Sequence, residues 1–66
     1  MTDARWAVLT SVAVANRVGV GATFVRASQS GEAEAAEAAG QIENKGGGYW
    51  LTMAGAEALA ARRIEP

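Results

Sequence analysis

Few side chains in this 66-residue sequence could do covalent chemistry, and their spacing says more than their number. Ser11, Ser28, Ser30 and several threonines carry hydroxyls that could serve as nucleophiles. A hydroxyl needs a neighbouring base to become one, and the sequence has no histidine to act as that base and no cysteine as an alternative nucleophile. Glu34 and Glu37 form a carboxylate pair suited to acid–base work in a pocket. Three residues apart on a helix surface, however, they share one solvated face. Gly46-Gly47-Gly48 invites comparison with a loop that cradles phosphate. Such a loop ends in Gly-Lys-Ser/Thr before a helix, whereas here Lys45 precedes the glycines and Tyr49-Trp50-Leu51 follows them. These patterns point away from an enzyme. They also give no reason to expect a cofactor or a metal ion, since the thiolate and imidazole ligands are missing.

Binding chemistry is better represented. Arg17, Arg26, Lys45, Arg62 and Arg63 are candidates for phosphate contact. Ser28, Gln29 and Ser30 form a polar stretch able to touch a nucleic-acid backbone or a base edge. Gly46 and Gly47 allow a close main-chain approach. If three cations reach phosphates, the salt slope is about −3. That is weak for a monomer and improves in a dimer with two half-sites. Trp6, Val14 and Trp50 are the candidates for a protein interface: the first two because the first helix is apolar over an arc wide enough to be covered from two directions, and Trp50 because it stands beside Tyr49 in a strand.

The elements that must position these residues are small. Half the sequence is hydrophobic, but 16 of those 33 residues are alanine, which buries little area. A short chain with so thin a core and no disulfide often gains stability by self-association, so a homodimer is expected. Net charge is −1, from six basic and seven acidic residues. A domain built to grip phosphates usually shows a basic excess. No apolar run reaches the roughly 18 residues of a membrane span. Met1-Thr2-Asp3 lacks the positive start of a secretory signal. A cytoplasmic protein without a membrane segment is therefore expected.

Thr2 or Asp3 is placed to cap a helix running from Ala4 to about Arg17. Val8, Val12 and Ala15 share one side of it, with Trp6, Leu9 and Ala13 beside them. Asp3, Thr10 and Arg17 lie opposite, and Val14 falls among these polar positions. Gly19 and Gly21 break this helix. Ala22 to Ala27 is expected to form one or two helical turns. Ser28 to Gly31 then makes a second break, followed by a helix from about Gly31 to Ala39 that ends at Gly40. In that helix Ala35, Ala36 and Ala39 are expected to face inward, with Glu34 and Glu37 outward. Gln41 to Asn44 and Tyr49 to Leu51 read as two strands joined by a glycine turn. Adjacent strand residues face opposite sides, so either Tyr49 or Trp50 should turn away from the core. Thr52 is placed to cap a last helix from about Met53 to Arg63. One domain, residues 1–66, accounts for all of it.

Part of this order resembles the winged helix-turn-helix family. The residues that carry the resemblance are Gly40, Ile42, Gly46 to Gly48, Tyr49, Leu51-Thr52, Ala54-Gly55 and Leu59, within residues 22–61. The resemblance implies an α+β fold with a three-helix core, a two-stranded wing and a C-terminal helix. It also implies a small DNA-associated regulator acting as a dimer. The alternative within the same family is a protein-interaction module that does not bind DNA, such as a phage-type or mobile-element inhibitor or adaptor. The segment in the recognition-helix position, Gly31 to Ala39, carries three glutamates and no Lys, Arg, Asn or Gln. Readout of guanine or adenine uses those missing residues. The arrangement of charge separates the two readings. DNA binding gains if Arg17, Arg26 and Lys45 gather on one face with Gln29, and loses if Glu34 and Glu37 stand between them.

Overall fold

The computed structural model describes the backbone of residues 1–64 and the side chains of residues 1–62. Its elements are α1 (Asp3–Arg17), α2 (Ala27–Ala38), β1 (Ile42–Asn44), β2 (Tyr49–Leu51) and α3 (Met53–Ile64). The class is α+β: three helices and a two-stranded antiparallel sheet.

Helix α1 starts where a cap is available. The Thr2 hydroxyl accepts from the Arg5 amide at 3.1 Å, so of the two capping candidates Thr2 serves. The helix ends at Arg17 with Val18 as its C-cap, and Gly19 follows with a φ of 84° that suits glycine. Val8, Leu9 and Val12 are buried and form the centre of the core. Ala22, Ala33, Ala36 and Ile42 complete it, with Phe24, Tyr49, Leu51 and Leu59 packed around the edge. Leu51, on β2, is half-buried.

The hairpin pairs Ile42 with Leu51, Glu43 with Trp50 and Asn44 with Tyr49. Gly46 and Gly47 take φ values of 61° and 99° at its tip, as a tight turn requires. Thr52 caps α3, its hydroxyl accepting from the Gly55 amide at 3.2 Å and donating to the Gly40 carbonyl. These agree with the sequence reading.

The segment between α1 and α2 differs from it. Residues 22–26 form no helical turn. Instead Ala22 bridges to Tyr49 with two backbone bonds of 3.0 and 2.9 Å. Helix α2 then begins at Ala27 and takes in Ser28 to Gly31, the stretch expected to be a break. Tertiary contact outweighs local propensity here. Gly21 and Gly48 pack backbone to backbone, so closely that a Cβ on Gly21 would lie 2.8 Å from the Gly48 Cα. The Ser30 hydroxyl donates to the Phe24 carbonyl at 3.2 Å, tying the incoming strand to the new helix. Two helices, rather than three, therefore precede the hairpin. The longer α2 also has a different phase. Ala33 and Ala36 are buried, whereas Ala35 and Ala39 are exposed.

Candidate functional site

Two surface features could hold a partner, and each is built from side chains of several elements. The first is a polar hollow of about 450 Å³ lined by Met1, Thr2, Arg5, Glu32 and Gln41. Arg5 spans it. Its Nε donates to Glu32 at 2.7 Å and its terminal nitrogen to Gln41 at 2.7 Å. This half-buried triad joins α1, α2 and the start of the hairpin, and it leaves the guanidinium charge neutralised. Among the described residues, no buried side-chain polar atom lacks a hydrogen-bond partner, and no cluster of acidic side chains has the makings of a metal site.

The second feature is a groove of about 200 Å³ between α1 and α3, lined by Trp6, Thr10, Ala13, Val14, Arg17 and Leu59. Trp6 is 39% exposed and Val14 57%. The Arg62 guanidinium lies over the Trp6 ring, 5.0 Å from its centroid. Arg62 also pairs with Asp3 and donates to the Thr2 carbonyl. Arg62, through its hydrogen bond and then its charge, holds the Asp3 carboxyl below its ordinary pKa. The groove is thus apolar along its floor, with an acid near one end and Arg17 at the other.

The residues chosen from sequence separate into four places. Trp6, Val14 and Arg17 meet in this groove. Arg26 and Ser28 are exposed at the start of α2, and Gln29 and Ser30 are half-buried there. Lys45, Gly46 and Gly47 form the hairpin turn, where the Lys45 ammonium pairs with Glu43 at 3.0 Å. Trp50 does not project as an anchor: it is half-buried, with its indole nitrogen beside Gly21. Of the two aromatics of β2, Tyr49 packs on the core, with its ring centroid 6.0 Å from that of Phe24, whereas Trp50 is not among the side chains packed against it, as the alternation of a strand leads one to expect. Arg17 ends α1, Arg26 is the N-cap residue of α2, and Lys45 lies in the turn between β1 and β2. The side chain of Arg63 lies outside the described residues.

No family model matches this chain, and no curated protein or solved structure matches it.

Sequence reasoning passed over Asn16, which the structure puts at a junction. Its side-chain nitrogen donates to the Val20 carbonyl at 3.0 Å and the Tyr49 carbonyl at 3.2 Å. Its side-chain oxygen accepts from the Leu51 amide at 2.8 Å. One amide thereby fastens the end of α1 to β2. A signal was present: Asn16 and Arg5 both fall on the buried side of α1, beside Leu9 and Val12, and a polar residue in such a place needs a partner. Asn16→Ala leaves the Leu51 amide without its acceptor and is expected to cost about 1–3 kcal/mol in urea denaturation. Asn16→Asp keeps that acceptor but aims a carboxylate at two carbonyls, so it should not restore stability.

Proposed function

We propose that this chain is a winged-helix-like domain of the cytoplasm that acts by binding protein rather than by reading DNA. The observation that carries the proposal is the outer surface of α2. Its exposed positions are Ala27, Ser28, Gly31, Glu34, Ala35, Glu37 and Ala38. That surface offers carboxylates and small side chains where a reading helix needs Arg, Lys, Asn or Gln. Charge elsewhere supports the same reading. Arg5, Lys45 and Arg62 are each engaged with an acid, which leaves fewer cations to meet phosphate. The α1–α3 groove supplies the alternative surface, with an aromatic and an aliphatic side chain side by side and an arginine against the ring. The hairpin, followed directly by a capped helix, supports the winged-helix comparison.

One observation favours the DNA reading: the exposed turn at Lys45, Gly46 and Gly47, which resembles the tip of a wing. Fluorescence anisotropy with random-sequence duplex DNA, at low and moderate salt, separates the two. The expected result is no salt-sensitive binding at micromolar protein. Micromolar binding that weakens steeply with salt would overturn the proposal in favour of a DNA-associated regulator.

A further inference from the structure

Trp6, Thr10 and Val14 follow one another along α1 at four-residue intervals, with Asp3 and Arg17 beyond them. Helix neighbours four apart form the surface ridge used in the commonest helix–helix packing. This ridge has an internal symmetry. Thr10 is midway between Trp6 and Val14, and also midway between Asp3 and Arg17. A two-fold axis at Thr10 that turns the helix end for end exchanges those positions. Trp6 of one copy then comes level with Val14 of the other, Asp3 comes level with Arg17, and Thr10 meets its own counterpart. A surface that complements itself under a two-fold rotation is what a closed dimer requires.

We propose that the chain forms a homodimer in which α1 packs antiparallel on α1 about Thr10. This rests on the protein-binding reading above and names a second copy of the chain as the partner. Three observations support it. The exposure of Val14, a β-branched apolar residue among polar ones, has no role within the monomer. Trp6 is already oriented by Arg62, which Asp3 holds in turn, so association orders little that is free. Charge also favours one direction. Asp3 is already paired with Arg62, but a parallel pair sets Arg17 against Arg17, whereas the antiparallel pair holds the two apart. Ala13 adds bulk of only one methyl, which lets the helix axes approach. A standard stable interface takes about 800 Å² from each partner. One ridge of a 15-residue helix with the edge of Leu59 supplies less. The dimer should therefore form in the micromolar range and dissociate on dilution.

The chain has no cysteine, so a single introduced thiol reports proximity cleanly. A disulfide needs Cα atoms within about 7 Å, a condition met only near the axis. Under mild oxidation Thr10→Cys is expected to cross-link to a covalent dimer, in a yield that rises with protein concentration. Ser11→Cys, exposed but turned round the helix from the half-buried Thr10, is expected to remain monomeric. Sedimentation equilibrium of the unaltered chain should show monomer–dimer exchange. Thr10→Arg, which sets two cations together at the axis, should shift it to monomer with an unchanged circular dichroism spectrum. A chain that stays monomeric to hundreds of micromolar, or equal cross-linking at both positions, would sink the proposal. The two readings fail separately: a monomer that ignores DNA refutes only the dimer, and salt-sensitive DNA binding refutes only the protein-binding reading.

Discussion

Gly55→Ala should lower the thermal midpoint sharply, although alanine is the better helix former. Gly55 is buried in the first turn of α3, and a Cβ there would sit 2.1 Å from the Gln41 carbonyl oxygen and 2.7 Å from a Leu51 methyl. That oxygen cannot move aside freely, because it accepts from the Thr52 amide at 3.1 Å. Overpacking typically costs 1–3 kcal/mol and at times more. The gain from helix propensity is about 1 kcal/mol. A clash with fixed backbone belongs at the upper end, so the cost wins. In a domain this small each kcal/mol lowers the midpoint by roughly 4–8 °C. Gly31→Ala is the matched opposite. Gly31 is helical and exposed, its φ is not positive, and nothing lies within 4 Å of its absent Cβ. It should gain about 0.5–1 kcal/mol. Thermal melts of both variants check the pair. An unchanged or raised midpoint for Gly55→Ala would mean that α3 is not seated on Gln41.

Leu9→Ala is expected to remove a large part of the folding stability. Leu9 has no exposed surface and stands between Val8 and Val12 at the centre of the core. Truncating a buried leucine costs about 2–5 kcal/mol, through lost burial and the cavity left behind. Proteins hold roughly 0.05–0.15 kcal/mol per residue, which is about 3–10 kcal/mol for a chain of this length. One side chain thus carries a large share of the whole. Alanine dominates the composition, and no bulky neighbour is free to refill the space. Urea denaturation followed by circular dichroism measures the loss. Val14→Ala, at a site 57% exposed, should change the monomer's stability by under about 0.5 kcal/mol. Similar losses for the two variants would show that Leu9 is not the centre of the core.

What could be read from the sequence was local. Thr2, Gly40 and Thr52 mark element ends through chemistry that acts within a few residues, and each does so in the structure. The glycine turn between two apolar runs gave the hairpin for the same reason. What could not be read depended on distant partners. The strand-like run at Ala22 exists because Tyr49 is there to pair with it, and Gly21 fits because Gly48 is also bare. Nothing in Ser28 to Gly31 alone shows that the chain is already anchored at Phe24 and free to start a helix early. The candidate site follows the same rule. Val14 stood out by its position on the wheel, and the groove contains it. The Arg5–Glu32–Gln41 triad joins residues 27 and 36 positions apart, and no spacing rule reaches that far.

Asn16 has a consequence beyond holding α1 to the hairpin. By bonding the Tyr49 carbonyl and the Leu51 amide, its side chain occupies the positions that a neighbouring parallel strand would use. The Ala22 bridge takes the Tyr49 amide as well. The open side of β2 is therefore already paired, and an incoming chain finds no free ladder to extend. The other edge, β1, is only three residues long and carries an exposed Glu43 beside Lys45. Short, charged edges resist the strand-on-strand stacking that seeds fibrils. This closure keeps the native form from serving as a template for aggregation.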